Sequence, residues 1–214
     1  IDLNLISLFS NTIILVFLSS FVLISFAFIS NYGNRLSRSK FLEILTTFSI
    51  SGYAIPGIIL AVAFITFISW FDNNIVNFFD IKNIKSIFIG SILGLVIVYF
   101  IRFYSLASNG IKSGYLKINY SIDESAYLLG YSKFKTFKNI HIPYLKNSIM
   151  LIGILIAIEI IKELPITLIM RPFNFETFAT QAYIYASQDL LEAAAAPSLF
   201  LILIASFFIL ITSR

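Results

Sequence analysis

Long stretches of Leu, Ile, Phe and Val dominate the chain, separated by short polar ones: residues 3–34, 44–71, 86–101 and 193–213 contain no Asp, Glu, Lys or Arg. Each is near or above the roughly 17–25 residues that a helix needs to cross a bilayer. A fifth stretch, 147–170, is long enough but carries Glu159, Lys162 and Glu163. The apolar positions do not alternate strictly in twos, as barrel strands would require. A backbone in lipid must satisfy its own hydrogen bonds, so the pattern predicts helices. The expected fold class is therefore all-α, a polytopic membrane helix bundle with about five transmembrane helices.

Composition agrees. Hydrophobic residues make up 58% and charged residues 12%, with a mean hydropathy of +0.91, more apolar side chain than one water-soluble core of this length would hide. The opening span has no basic residue before it and is far longer than a signal core, which argues against a cleavable signal peptide. There is no cysteine, hence no disulfide framework, thiolate site or redox motif. No internal repeat or soluble domain interrupts residues 1–214, which read as one transmembrane domain.

The net charge of +4 matters less than where it falls, and its placement in loops points to membrane orientation rather than nucleic acid. Arg35, Arg38 and Lys40 follow the first span, and Arg102, Lys112, Lys117, Lys133, Lys135, Lys138 and Lys146 lie between or flank the third and fourth. Under the positive-inside rule both loops face the cytoplasm. The other two, residues 72–85 and 171–192, hold only Lys82, Lys85 and Arg171 and should lie outside, with Asp2 outside and Arg214 inside. The expected location is the cytoplasmic (inner) membrane, multi-pass. An odd span count starting outside, in a chain that begins at Ile1, reads as a fragment, as one half of a fused protein, or as a five-span core that begins outside.

Trp70 and Phe71 close the second span, and Tyr99, Phe103 and Tyr104 the third, where aromatics at headgroup level are expected. Within the second span, Gly52, Pro56 and Gly57 should allow close helix packing or a bend.

The most informative segment is the basic loop, about 107–147. It contains Asp123-Glu124-Ser125-Ala126-Tyr127-Leu128-Leu129-Gly130 and then Ile140-His141-Ile142-Pro143. Residues 122–129 read as a short helix with Ser121 as N-cap, Asp123 and Glu124 in the first turn where the helix dipole favours negative charge, and Gly130 ending it. Ser132 is a second cap, opening another short helix over 133–140 before Pro143 stops it. Ala126, Leu129, Phe134, Phe137 and Ile140 stand among lysines, an apolar face that could enter a partner's groove or rest on lipid headgroups.

Glu124, Ala126, Gly130, Ile140 and Pro143 have the order and spacing of the EAA motif, and the chain resembles the permease subunits of binding-protein-dependent ABC importers. Ser125 stands where a second Ala is usual and Ile142 where Leu precedes the Pro. The resemblance implies that this loop is a coupling helix seated in a cytoplasmic ATPase. Glu124, Ser125, Ala126, Gly130, Ile140 and Pro143 would be the coupling residues. Implied partners are a dimer of cytoplasmic ATP-binding subunits, a periplasmic or other extracytoplasmic substrate-binding protein, and a second permease module, fused or separate. The chain would not itself be an enzyme and would carry no cofactor. A second Glu-Ala-Ala, at Glu192-Ala193-Ala194, is a decoy, since Ser198 occupies the Gly position.

Two further stretches resemble ferric-iron importer permeases: Gly52-Tyr53-Ala54-Ile55-Pro56-Gly57, and the segment from Lys162 through Pro165, Arg171 and Phe173 to Phe175-Glu176-Thr177-Phe178-Ala179-Thr180. Thiamine, polyamine or inorganic-anion permeases share the loop and are the alternative cargo classes. Glu159, Lys162 and Glu163 share one helical face by their offsets of three and four, with Pro165 ready to break the helix. Charges at membrane depth usually pair and face an aqueous path. The expectation is either a path lining in which Lys162 neutralises a Glu, or a salt bridge that only locks helices. His141, the single histidine, reads as a loop residue, and no cluster has metal-cage spacing. A membrane enzyme would need a nucleophile with its base, and an ion-coupled secondary transporter would need inverted repeats; neither is found.

Overall fold

The computed structural model describes residues 4–37, 40–78 and 88–212. Asp2, Arg38, Lys82, Lys85 and Arg214 lie outside the described residues. All regular structure among those described is helical: α1 (Leu5–Ser37), α2 (Lys40–Ile50), a 3₁₀ turn at Ser51–Ala54, α3 (Gly57–Phe78), α4 (Ile92–Tyr115), α5 (Tyr120–Leu128), α6 (Lys133–Thr136), a π turn at Phe137–His141, α7 (Ile142–Ile161), α8 (Pro165–Met170), α9 (Phe178–Ser187) and α10 (Leu191–Thr212). Among the described residues, four helical stretches are long and apolar enough to cross a membrane, and a fifth if the bent α2–α3 pair is one span.

The centre of the bundle is α1, α4 and α7. On α1 the buried positions Leu8, Thr12, Leu15, Ser19, Leu23, Ala27 and Asn31 recur every three or four residues, one stripe of the helix. The opposite face is apolar and bare: Ile6 is 82% and Phe17 76% exposed, as suits a lipid-facing surface. Phe26 stacks edge-on with Phe100, the Ser30 and Tyr104 hydroxyls are 2.6 Å apart, and Asn31 donates to the Ser108 carbonyl at 3.2 Å. These contacts advance together, so α1 and α4 run parallel. α7 returns antiparallel beside α4 because Gly110 and Gly114 offer no side chain. A Cβ at Gly110 would lie 2.5 Å from Ile152 Cγ1, and one at Gly114 2.7 Å from Leu145 Cδ2, the small-xxx-small approach used between helices in lipid.

Three expected spans change shape. The third is α4, Ile92–Tyr115, rather than 86–101. Its extension puts Arg102 inside the helix, and Tyr99, Phe103 and Tyr104 are buried in the core rather than set at headgroup level. The fourth span is one helix from Lys133 to Ile161, ending before Lys162, with α8 a separate piece. The second bends by 117° between Thr46–Ala54 and Gly57–Asp72. Pro56 has no N–H to continue the ladder, and Gly52 and Gly57 do serve close packing. A Cβ at Gly52 would stand 2.2 Å from the Ile101 carbonyl oxygen, and one at Gly57 2.9 Å from Glu163 Oε1.

Gly52→Ala should therefore lower the unfolding temperature of the detergent-solubilised chain, by an overpacking cost of about 1–3 kcal/mol. Gly33→Ala, with nothing within 4 Å, should hold or raise it, because Ala favours the helix by roughly 1 kcal/mol. Equal effects from the two would contradict this packing.

Candidate functional site

The polar loop forms a distinct structure at the end of the bundle that holds Arg35. α5 begins at Tyr120 with Asn119 as its cap, whose Oδ1 accepts from Ser121 N at 3.3 Å. The helix thus starts two residues before the expected one, and Ser121 lies inside it. Its end is a Schellman turn: Tyr131 N donates to Ala126 O and Gly130 N to Tyr127 O, both at 3.0 Å, with Gly130 at φ +79°. Ser132 caps α6 as expected, accepting from Lys135 N at 3.3 Å.

Pro143 does not stop the following helix. It sits in the first turn of α7, and the turn before it is widened so that Ile142 N reaches Phe137 O, five residues back. The wide turn ends at the residue before Pro143, whose missing N–H is tolerated in the first turn of α7. It also places His141 in the core with no exposure, so the single histidine is an interior helix residue rather than a loop one.

Among the expected coupling residues, Glu124 and Ser125 lie on the open face of α5, Gly130 in the turn and Pro143 on the surface, while Ile140 is half-buried. Ala126 is 2% exposed and faces inward. The free apolar surface also differs from expectation. Leu129 (78% exposed) and Phe134 (73%) belong to it, together with Leu128 (89%), whereas Ala126 is buried and Phe137 packs against the core. Residues 120–128 wind so that Asp123 and Ala126 share the inward side, which leaves Leu128 outward.

Asp123 is not merely a first-turn acid. Its Oδ2 accepts from Arg35 Nε at 2.7 Å and its Oδ1 lies 2.9 Å from His141 Nε2, with the Asp123 side chain only 10% exposed. Sequence reasoning counted Arg35 among the loop cations and missed this cluster.

A second polar group lies midway through the bundle. Arg102 is the eleventh residue of the 24-residue α4, about 15 Å along it at about 1.5 Å per residue, inside a helix long and apolar enough to span a bilayer. Its Nη1 donates to the carbonyls of Tyr53, at 3.1 Å, and Ile55, at the bend before α3. A charge there had signalled a span end; the bend supplies carbonyls that make it tolerable inside.

The expected trio of Glu159, Lys162 and Glu163 is divided. Lys162 pairs with Glu159 at 2.7 Å, with its side chain 55% exposed, and not with Glu163. The helix ends at Ile161, so Glu163 falls past it, where its Oε1 accepts from Ile166 N at 3.3 Å and faces Gly57. Pro165 opens α8 after the break, as its lack of an N–H allows. Thr167 donates to Glu163 O at 2.6 Å and also meets the Tyr99 hydroxyl. At the far end of the bundle, Glu176 pairs with Arg171 and accepts from Thr180 at 2.8 Å, while Asn11 donates to the Glu176 carbonyl at 3.0 Å. No group of three or more metal-binding side chains occurs among the described residues.

No protein-family model and no curated protein matches the sequence. Solved structures do match in fold. A bacterial ABC transporter involved in the import of the acidic polysaccharide alginate aligns with a TM-score of 0.78 at 16% identity, over 100% of this chain and 79% of that one. This is the fold of an ABC transporter chain. A bacterial alginate ABC transporter in complex with an alginate-pentasaccharide-bound periplasmic protein aligns with a TM-score of 0.75 at 15% identity, over 98% of this chain and 77% of that one.

Proposed function

We propose that this chain is a permease subunit of an ATP-driven ABC importer, forming part of the translocation path and coupling to a separate cytoplasmic ATPase. The observation that carries the reading is α5. On a fold shared with ABC transporter chains, the EAA-like segment forms an exposed helix between two spans. Glu124 and Ser125 are open, and Leu128, Leu129 and Phe134 are presented at the bundle's end. An apolar ridge rimmed by Lys133, Lys135 and Lys138 suits a groove on a partner, with the charges setting register. A dimer of ATP-binding subunits would take two such helices, one from this chain and one from a second permease module, and an extracytoplasmic binding protein would deliver cargo at the opposite end.

Capture tests it. Leu128→Cys in this cysteine-free chain should cross-link to an ATP-binding subunit in native membranes. A cross-link to lipid alone would sink the docking reading.

For cargo, the reading is ferric iron, resting on the resemblance of the two stretches around Gly52–Gly57 and Lys162–Thr180. Their packing supports treating them as one functional unit, because Gly57 meets Glu163 and Ile166 at mid-depth. The test is uptake of radioactive ferric iron, with alginate oligosaccharide, thiamine, a polyamine and an inorganic anion as competitors. Competition by any of these at equal concentration assigns the cargo to that class.

The proposed orientation puts the α5 end in the cytoplasm. Single cysteines at Ser37 and Ser132 should then react with an impermeant thiol reagent only after the inner face is opened, and one at Asn74 from outside. Labelling of Ser132→Cys in intact spheroplasts reverses the orientation.

A further inference from the structure

Three elements converge where the polypeptide leaves the bundle for the docking loop: the last turn of α1, the start of α5 and the π turn that opens α7. One side chain joins them. Arg35, itself only 6% exposed, places Nε on Asp123 Oδ2 at 2.7 Å and Nη2 on the carbonyls of Ile118 and Asn119 at 3.0 and 3.1 Å. Its guanidinium lies 4.3 Å from the centre of the Tyr120 ring. Asp123 in turn touches His141, and Tyr32, one turn back on α1, donates to the Lys133 carbonyl at 2.6 Å.

The rest of α5 is held by apolar contact. Its only sizeable helix packing among the described residues is with the α6 turn that follows it; Ile122 rests against the core and Ala126 is buried, while Leu128 points away from the bundle. A force applied to α5 therefore passes inward through these apolar contacts and through the directional bonds of Arg35. Apolar contacts can slide, whereas a fork of directional, charge-assisted hydrogen bonds fixes register.

We infer that Arg35 is a positioning residue that locks α5 to the end of α1 and the start of α7, so that displacement of α5 by a docked ATPase moves both spans as one body. This rests on the docking reading above and adds to it the element that receives the movement. α1 reaches from this clamp to the far end, where Thr12 accepts from Phe178 N at 3.2 Å. The same helix thus connects the docking loop to the start of α9.

The experiment uses the whole transporter in proteoliposomes and reads the ratio of ATP hydrolysis with and without its binding protein. That ratio does not depend on how much folded protein is present. Replacing Arg35→Gln together with Asp123→Asn removes both buried charges at once, avoiding an uncompensated one. The ATPase should still co-purify, while the stimulation ratio falls about tenfold, the scale of coupling carried by a single network. Should the double variant not accumulate, Arg35→Lys carries the test. It keeps the charge but loses the fork, and its ratio should fall by about threefold at normal abundance.

An unchanged ratio in whichever variant accumulates overturns the inference while leaving docking intact. Loss of the ATPase from the double variant also overturns it, because Arg35 would then shape the docking face rather than transmit from it. A native chain that captures no ATPase removes the docking reading itself, and the clamp's role with it.

Discussion

Gly130→Pro is expected to abolish coupled transport while the chain still reaches the membrane at normal abundance. Gly130 is the left-handed residue of the Schellman turn, at φ +79°, and its N–H supplies one of the two bonds that end α5. Proline holds φ near −65° and has no N–H, so both requirements fail together. The turn has open space around it, with nothing within 4 Å of a Cβ there, so the damage is to backbone direction and not to packing. α5 should unwind at its last turn and carry Leu128 and Leu129 away from the ridge they form with Phe134. The measurement is uptake per unit of membrane-inserted chain, alongside ATPase capture. Gly130→Asn, which tolerates the left-handed region better than other side chains, should retain most activity. Normal transport by the Pro variant would mean that α5 is not the coupling element.

The second large effect is expected from Arg102→Leu. Removing the guanidinium leaves the Tyr53 and Ile55 carbonyls at the α2–α3 bend without their donor, and takes from half-buried Glu163 a nearby positive charge. Leaving the carbonyls at the bend without their donor costs on the order of 1–3 kcal/mol, so the chain should unfold at a lower temperature. Arg102→Lys should be intermediate, since one ammonium on a flexible stem cannot reproduce the planar fork. Lys162→Met sets the scale. Its pair with Glu159 is largely exposed, and such pairs contribute about 0–1 kcal/mol, so folding should be nearly unaffected. Equal losses from Arg102→Leu and Lys162→Met, by thermal unfolding at matched expression, would refute this assignment.

The helical class and most of the spans were legible in the sequence because hydropathy acts locally: whether a stretch such as 193–213 crosses lipid depends on its own side chains. The same holds for Gly130 and Ser132, whose turn and cap are decided within a few residues of backbone. What the sequence concealed lay in partners far along the chain. Arg102 looked like the end of a span because its acceptors, Tyr53 and Ile55, lie 49 and 47 residues away. Asp123 looked like a helix-dipole residue because its counter-charge, Arg35, is 88 residues distant. Local spacing left open which Glu Lys162 would meet; the helix ends at Ile161 and the pair forms with Glu159. Pro143 seemed a stop, but it stands in the first turn of α7, where a missing N–H is tolerated. Burial of charge is a long-range bargain between elements, whereas apolar insertion and turn geometry are local. The sequence by itself therefore determined that this chain spans a membrane and where its polar loop lies; only the tertiary structure decided which charges that loop and the mid-depth bend hold.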